Sequence, residues 1–284
     1  MDQLAVDALV ALLDLEQLEE DIFRGLSPDE DRQRVFGGQV AGQALVAGAR
    51  TVAPEYTLHS LHSYFLRPGD PNVPILYLVD RIRDGRSFAT RRVSAVQHGT
   101  PIFHLSANFQ VPEDGFDHQF EMPAGLPDPE SLPDFHTRMA PFKEELAAFY
   151  HRPRPIDLRY CELSPWFRTE PLPPFQHVWI KANGSLPDDP LVHLCVLTYA
   201  SDLSVLDTSL LPHGESFAAG EVFLASLDHA MWFHRPFRAD DWLLYAQDSP
   251  SATGGRGLGR GLVYDRSGAL VASVVQEGVI RRAR

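Results

Sequence analysis

The sequence predicts an α+β protein in which one structural unit occurs twice. Two observations support this prediction. Each half of the chain has one long apolar helix followed by four strand-like segments, and two strand motifs of the first half recur in the second half. The 284-residue chain is 44% hydrophobic and 22% charged, an ordinary globular composition that suits about two domains.

The first predicted unit begins with two helices. Apolar residues recur at helical spacing from Leu4 to Leu13, which predicts a short amphipathic helix, and the acidic segment 14–21 after it is expected to be a solvated face. Small residues then recur at steps of three and four from 37 to 52, which predicts a buried helix that another backbone approaches closely. Turn signals separate the four strands expected next, at 58–66, 75–83, 87–97 and 102–111.

A proline-rich segment separates the two predicted units. Eight prolines and several acidic residues lie between 112 and 155, which predicts a linker with one helix near 142–150. In the second unit we expect a helix at 194–211 and strands at 221–234, 242–248, 256–264 and 269–280. The predicted boundaries are 1–115 for the N-terminal unit, 116–155 for the linker and 156–284 for the C-terminal unit.

Two motifs indicate an internal duplication. SYFLRP at 63–68 matches MWFHRP at 231–236, and the strand at 102–110 that ends in glutamine matches 268–276, at offsets of 168 and 166 positions. Two independent matches at nearly one offset are typical of a repeat. A long helix followed by antiparallel strands needs the apolar face of the sheet to cover the helix. Each unit is therefore expected to be a hot-dog fold, and the chain a double hot-dog with one continuous sheet.

Charge and cysteine content exclude several classes of protein. With 25 basic and 38 acidic residues the net charge is −13, which repels phosphate backbones, so we expect no nucleic-acid partner and a local arginine group for any phosphate-bearing ligand. Cys161 and Cys195 are too few for a disulfide framework or a cysteine-rich zinc site. His59 and His62, three apart on a strand, face opposite sides, and we expect neither a metal nor a cofactor. No membrane span or leader is apparent, and we expect a cytoplasmic protein.

Familiar catalytic motifs are absent from the sequence: there is no Gly-x-Ser-x-Gly elbow, Walker A loop, Gly-x-Gly-x-x-Gly or His-Glu-x-x-His. The informative residues are polar ones inside apolar elements. Asp202 lies in the predicted second helix, where a carboxylate is costly unless it is hydrogen-bonded or functional. The alternative, given equal weight, is that Ser201 and Asp202 form the N-cap of a helix that starts near Leu203. Asp228 and His229 are strand neighbours that face opposite sides, which argues against a serine triad.

The sequence resembles the type II acyl-CoA thioesterases (TesB-like), which are double hot-dog proteins. The similarity covers nearly the whole chain and lies in six motifs: VFGGQ at 35–39, HSLHSYFLRPG at 59–69, WIKANG at 179–184, YASD at 199–202, DHAMWFHRP at 228–236 and VQEGV at 275–279.

The resemblance implies a fatty acyl-CoA thioesterase without a covalent intermediate. It places the family's catalytic aspartate on Asp202, its strand hydroxyl on Ser226 and its glutamine on Gln276. Bacterial members often carry threonine where this chain has Ser226, which keeps the hydroxyl and loses a methyl group. Thioester hydrolysis needs an activated water and a donor for the developing oxyanion. Asp202 would take the proton of the water, and Ser226 and Gln276 would hold that water in place.

Substrate-binding roles are expected for five further residues. Backbone N–H groups of Gly37 and Gly38, at the start of a predicted helix, are suited to the oxyanion. His59 either lines the active site or is a core histidine with satisfied hydrogen bonds. Arg67 and Arg235 each precede a proline, and they either bind the phosphates of CoA or form surface ion pairs.

Three functions remain open from the sequence. An acyl-CoA thioesterase fits the motifs, and the resemblance also implies a homodimer or homotetramer. A hot-dog enoyl-CoA hydratase or dehydratase would carry a histidine five residues after the aspartate, where this chain has Asp207. An inactive acyl-CoA-binding protein would have no need to keep Asp202, Ser226 and Gln276 together.

Overall fold

The described residues form one antiparallel sheet of thirteen strands that covers two central helices. The computed structural model describes residues 2–28, 33–162, 170–215 and 222–282. The helices are α1 (Gln3–Leu13), α2 (Gly37–Ala49), α3 (Phe135–Met139), α4 (Lys143–Leu146) and α5 (Pro190–Ser201). The strands are β1 (Glu16–Glu19), β2 (Ile22–Gly25), β3 (Thr57–Phe65), β4 (Ile75–Asp84), β5 (Phe88–Gln97), β6 (Thr100–Gln110), β7 (Ile156–Tyr160), β8 (Phe175–Ala182), β9 (Val222–Ser226), β10 (Asp228–Phe233), β11 (Leu243–Thr253), β12 (Arg256–Asp265) and β13 (Leu270–Arg282).

The order of the strands displays the duplication. It runs β1-β2-β4-β5-β6-β3-β10-β13-β12-β11-β8-β7, while β9 pairs with β13 beside this path. From the central β3–β10 pair outward, the two halves follow the same succession of strands. β3 and β10 pair antiparallel, with Ser60 opposite Trp232 and Tyr64 opposite Asp228. The predicted double hot-dog with one continuous sheet is confirmed.

Helix α2 is buried along nearly its whole length because its small residues admit a second backbone. A Cβ built on Gly38 would lie 2.4 Å from the carbonyl oxygen of Tyr199 in α5, and one built on Gly42 would lie 3.4 Å from that of Cys195. The first distance is shorter than van der Waals contact allows, so position 38 requires glycine. The expected close approach to this helix is confirmed, and α5 is the helix that approaches it.

The second central helix is shorter than the sequence predicts. Helix α5 begins at Pro190, where the N-cap Asp189 accepts a hydrogen bond from the N–H of Leu191, and it ends at Ser201. After a turn, a separate 3₁₀ segment covers Leu206–His213. The leucine pattern continues through both, so periodicity alone did not reveal the break. The stretch Pro190–His213 is apolar and long enough to span a membrane. However, 78% of its apolar 18-residue segment is buried inside the protein, as in a core helix.

The structure contains strands and helical turns that the sequence pattern did not indicate. These strands are β1, β2, β7 and β8, whose sequences lack the clear alternation of apolar and polar residues that predicts a strand. They are short or lie near the ends of the sheet, and β1 is exposed at every residue. The segment 116–155 carries α3, α4 and several 3₁₀ turns rather than one helix. It also packs on the second unit, since Trp179 Nε1 donates to the Pro127 carbonyl at 3.1 Å.

Candidate active site

A break in one predicted strand positions Ser226 beside Gln276. The sequence predicts a single strand at 221–234; residue 221 lies outside the described residues, and residues 222–233 form β9 and β10 with a break at Leu227. Strand β9 pairs with the end of β13, with Ser226 opposite Gly278. Strand β10 pairs with the preceding part of β13, with Ala230 opposite Val275. Gln276 therefore lies beside the break, next to the last residue of β9.

Asp202, Ser226 and Gln276 form one hydrogen-bonded cluster. The amide Nε2 of Gln276 donates to Asp202 Oδ1 at 2.8 Å and to Ser226 Oγ at 2.7 Å. The Ser226 hydroxyl lies 3.4 Å from the same Asp202 oxygen. The backbone N–H of Gly38, in the first turn of α2, also donates to the Asp202 carboxylate. The tertiary structure thus brings together three side chains that are up to 74 positions apart in sequence.

The N-cap interpretation of Asp202 is wrong. Asp202 has helical backbone angles, φ −81° and ψ −5°, and is the C-cap of α5. The 3₁₀ segment that follows has Val205 as its N-cap. The Asp202 side chain accepts hydrogen bonds from Gln276 and Gly38, which belong to other elements. Its carboxylate therefore stabilises no helix of its own and faces the N-terminal end of α2, where a negative charge is favourable.

The environment of Asp202 favours the protonated carboxyl group more than bulk water does. Burial raises the pKa of Asp202 above the ordinary carboxylate value, and the nearby His229 together with the hydrogen bonds from Gln276, Gly38 and Ser226 acts in the opposite direction. The part of Asp202 that stays accessible lines a cavity. A carboxylate with a raised pKa is a stronger base than a solvated one, which suits proton abstraction from water near neutral pH.

The cavity above the cluster has a volume of about 1090 Å³. Both units and the segment between them line it. Near the cluster its wall is aromatic: the rings of Phe36 and Tyr199 meet edge to face at 5.0 Å, and those of Phe65 and Phe103 lie 5.0 Å apart. Such a wall suits an apolar chain bound beside the carboxylate.

Arginines line other parts of the same cavity, although the chain as a whole is acidic. They are Arg34, Arg67, Arg138, Arg152, Arg154 and Arg159. Arg34 donates to the carbonyl of Leu224 at 3.0 Å, and Arg67 donates to that of Pro101 at 2.7 Å. These contacts leave the positive charges of Arg34 and Arg67 without a carboxylate partner among the described residues, whereas Arg159 forms an ion pair with Asp157 at 3.0 Å. The group has the chemistry that the sequence required for a phosphate-bearing ligand.

Gly37 and Gly38 occupy different environments. Gly37 lines the cavity, and a Cβ built on it would lie 2.7 Å from Asp202 Oδ2. Gly38 is turned away from the cavity: its N–H donates to Asp202, and its α-carbon packs on the backbone of Tyr199. Only the first of the two predicted oxyanion donors is therefore placed at the cavity surface.

Two predicted substrate-binding residues are not among the described residues that line the cavity. Arg235 forms an ion pair with Asp117 and donates to the Leu270 carbonyl, which corresponds to the ion-pair alternative. The rings of His59 and Phe88 are arranged edge to face with their centroids 6.0 Å apart, and the buried Nε2 of His59 has no hydrogen-bond partner among the described residues. His59 therefore lies outside the described lining of this cavity and is not a fully satisfied core histidine.

Sequence reasoning missed one buried neighbour of the cluster, His229. Its side chain is 1% exposed, and it contacts Gln276 through one ring nitrogen and Ser201 through the other. As expected from strand geometry, Asp228 faces the other side, where its carboxylate accepts from the N–H of Glu277 at 2.7 Å. Strand alternation in the sequence places His229 on the face opposite Asp228, but its contact with Gln276 follows from the pairing of β10 with β13, which the sequence does not show.

Comparisons with family models and with known proteins assign the chain to one family. The model described as acyl-CoA thioesterase matches residues 154–279, and the model described as acyl-CoA thioesterase N-terminal domain matches residues 27–110. The chain is 42% identical over 285 residues to human acyl-coenzyme A thioesterase 8, covering 96% of this chain and 88% of that protein. It is 41% identical to acyl-CoA thioesterase 2 of Haemophilus influenzae, covering 96% of each chain.

Solved structures agree with this relationship. An acyl-CoA thioesterase II, TesB2, from Mycobacterium marinum superposes with a TM-score of 0.80 at 46% identity and covers 97% of this chain and 98% of its own. A hot-dog protein from Alicyclobacillus acidocaldarius has a TM-score of 0.79 at 18% identity, which shows the fold alone. With matches of this identity over nearly its full length, the chain belongs to the acyl-CoA thioesterase family.

Proposed function

We propose that the chain hydrolyses fatty acyl-CoA thioesters with a water molecule held by Asp202, Ser226 and Gln276. The observation that carries the proposal is the convergence of these three side chains on the wall of a cavity that is aromatic on one side and lined by arginines elsewhere. An acyl chain needs the first surface, and the phosphates of CoA need the second.

In this mechanism Asp202 is the general base. Its carboxylate accepts a proton as the water oxygen bonds to the thioester carbonyl carbon. The hydrogen bonds from Gln276 and Ser226 fix the base and the water relative to each other, which removes most of the orientational cost of the attack. The carbon–sulfur bond then breaks, and the proton held by Asp202 passes to the departing sulfur. The products are a free carboxylic acid and CoA with its thiol.

The negative charge that develops on the carbonyl oxygen needs a preorganised donor. We assign this role to the N–H of Gly37, since Gly37 is the first residue of α2 and lines the cavity. The unpaired N–H groups of a helix N-terminus are suited to an oxyanion. Gly38 supports the base instead, because its N–H donates to Asp202.

A hydratase or dehydratase on the same fold would use a histidine with the aspartate as acid and base. Here the buried His229 has both ring nitrogens engaged and is not among the described residues that line the cavity. This arrangement supports hydrolysis over hydration.

The deciding experiment follows release of free CoA thiol from palmitoyl-CoA with a thiol reagent, alongside hydration of a 2-enoyl-CoA followed by loss of enoyl absorbance. Thiol release without hydration is the expected result. Hydration without thiol release would establish the dehydratase alternative, and saturable binding of palmitoyl-CoA without either reaction would establish an inactive binding protein.

We also propose that the protein forms a homodimer or homotetramer. Supporting this, the outer face of the first unit's sheet exposes apolar side chains that a monomer would leave in water, among them Tyr64, Leu76, Leu78 and Ile82. Light scattering at micromolar concentration tests the proposal, and a mass of one chain would contradict it.

A further inference from the structure

His229 occupies the position behind Gln276, on the side away from the cavity. Its Nδ1 lies 2.7 Å from Gln276 Oε1, and its Nε2 lies 2.9 Å from Ser201 Oγ at the end of α5. The imidazole is therefore held at both nitrogens, inside the layer between helix and sheet. It touches a residue of the proposed catalytic cluster without touching the space in which substrate would lie.

The donor and acceptor of each hydrogen bond between Gln276, His229 and Ser201 follow from the chemistry of the groups. Gln276 Nε2 has two hydrogens, one directed at Asp202 and the other at Ser226, so its Oε1 is the atom that faces His229. An amide oxygen only accepts hydrogen bonds, which requires the hydrogen to be on Nδ1 of His229.

The second ring nitrogen is then an acceptor. Burial lowers the pKa of His229 below its ordinary value, which favours the neutral ring with one hydrogen. With that hydrogen on Nδ1, Nε2 accepts from the hydroxyl of Ser201. The Thr198 carbonyl, at 3.0 Å, competes for the Ser201 hydrogen, but its bond would leave two acceptors facing each other at 2.9 Å.

The orientation of the Gln276 amide decides whether the cluster functions. A flipped amide would set its oxygen 2.8 Å from Asp202 Oδ1 and 2.7 Å from Ser226 Oγ. The amide oxygen and Asp202 Oδ1, which are both acceptors, would then face each other. Ser226 would have to donate its hydrogen to the amide rather than to water. We propose that His229 is a positioning residue that sets the orientation of the Gln276 amide through its Nδ1–H, with Ser201 holding the ring. This inference rests on the proposed function of Asp202, Ser226 and Gln276.

Two substitutions separate the donor from the bulk of the ring. His229→Asn retains an N–H near the position of Nδ1, whereas His229→Gln moves the amide nitrogen toward the position of Nε2. The expected result is that His229→Asn keeps kcat within about 10-fold of wild type while His229→Gln loses roughly 10²-fold, with KM for palmitoyl-CoA little changed in both. A residue with a merely structural role would show parallel losses of melting temperature and activity in both variants.

A double-mutant cycle with Gln276→Ala then tests the route of the effect. If His229 acts through Gln276, His229→Gln lowers kcat in the wild-type background and causes little further loss when Gln276 is already alanine. Equal losses in both backgrounds, or a His229→Gln variant as active as wild type, would overturn the inference. The proposed function itself fails on a different result, namely a Gln276→Ala variant with undiminished turnover.

Discussion

The first residue of the helix in one unit, Gly37, lies directly against the carboxylate at the end of the helix in the other unit, Asp202. A Cβ on Gly37 would approach Asp202 Oδ2 to 2.7 Å and the Phe65 ring to 2.9 Å. Neither contact is tolerable, so Gly37→Ala must displace the carboxylate or the ring. We expect kcat for palmitoyl-CoA hydrolysis to fall by about 10-fold or more, because small displacements of a general base are costly.

The neighbouring glycine provides the matched control for that substitution. A Cβ on Gly38 would approach the backbone oxygen of Tyr199 to 2.4 Å, and a backbone atom between two buried helices has little freedom to move. Gly38→Ala is therefore expected to lower the melting temperature more than Gly37→Ala does. Equal melting temperatures with equal losses of kcat would contradict the separation of roles.

Replacement of Asp202 by asparagine is expected to abolish the base while preserving the hydrogen bond from Gln276, because the asparagine oxygen can take the place of Oδ1. The side chains have the same shape, and the asparagine oxygen still accepts hydrogen bonds, so palmitoyl-CoA is expected to bind normally. Turnover is expected to fall by roughly 10²-fold or more. Steady-state thiol release and equilibrium binding of a non-hydrolysable acyl-CoA analogue check the two parts. Loss of binding together with turnover would contradict a catalytic role.

The same substitution predicts a pH-dependent gain of stability. Because the pKa of Asp202 is raised in the folded protein, the stability contributed by its protonated form is present below the ordinary value of 3.8 and is lost as pH rises through the raised pKa. Asparagine stays neutral at every pH. The melting temperature of Asp202→Asn relative to wild type is therefore expected to increase as pH rises from below 3.8 through the raised pKa, and to stay constant above it. A difference that does not change at any pH above 3.8 would show that the pKa of Asp202 is not raised.

The hydroxyl at position 226 is expected to matter more than the methyl group that threonine would add. Ser226→Thr keeps the acceptor for Gln276 and a hydroxyl for the water, so most of the activity is expected to remain. Ser226→Ala removes both and is expected to lower kcat by about 10-fold or more. If two residues hold the same water, the double variant is expected to lose less kcat than the product of the losses in the two single variants. Multiplicative losses in Ser226→Ala with Gln276→Ala would exclude a shared water.

The two predicted phosphate-binding arginines are expected to behave differently. Arg67 lines the cavity, whereas Arg235 is paired with Asp117 outside the cavity lining. Arg67→Ala is expected to raise KM for palmitoyl-CoA by roughly 3- to 10-fold, with a weaker effect at high salt, because charge pairing with phosphate is screened. Arg235→Ala serves as the control and is expected to leave KM unchanged. A similar rise in both variants would assign Arg67 no specific contact with CoA.

The sequence by itself determined the repeated architecture of this protein. Apolar periodicity and the matches at 63–68 and 231–236 established two helix-plus-sheet units, because helix and strand periods are local properties of the chain. The small residues of α2 indicated that another backbone would approach it, since only glycine and alanine leave that space. Family resemblance added Asp202, Ser226 and Gln276, which composition and spacing could not connect.

Tertiary structure alone decided which of the polar residues meet. Asp202 had equal weight as an N-cap and as a base, because a cap is a local feature and the sequence cannot show that α5 ends one residue earlier. The break at Leu227, the contact of Gly38 with Asp202 and the burial of His229 behind Gln276 all depend on how distant elements pair. The electrostatics of the site follow from the same packing, since burial between two helices and a sheet shifts the pKa of a carboxyl group in a way that its sequence neighbours do not.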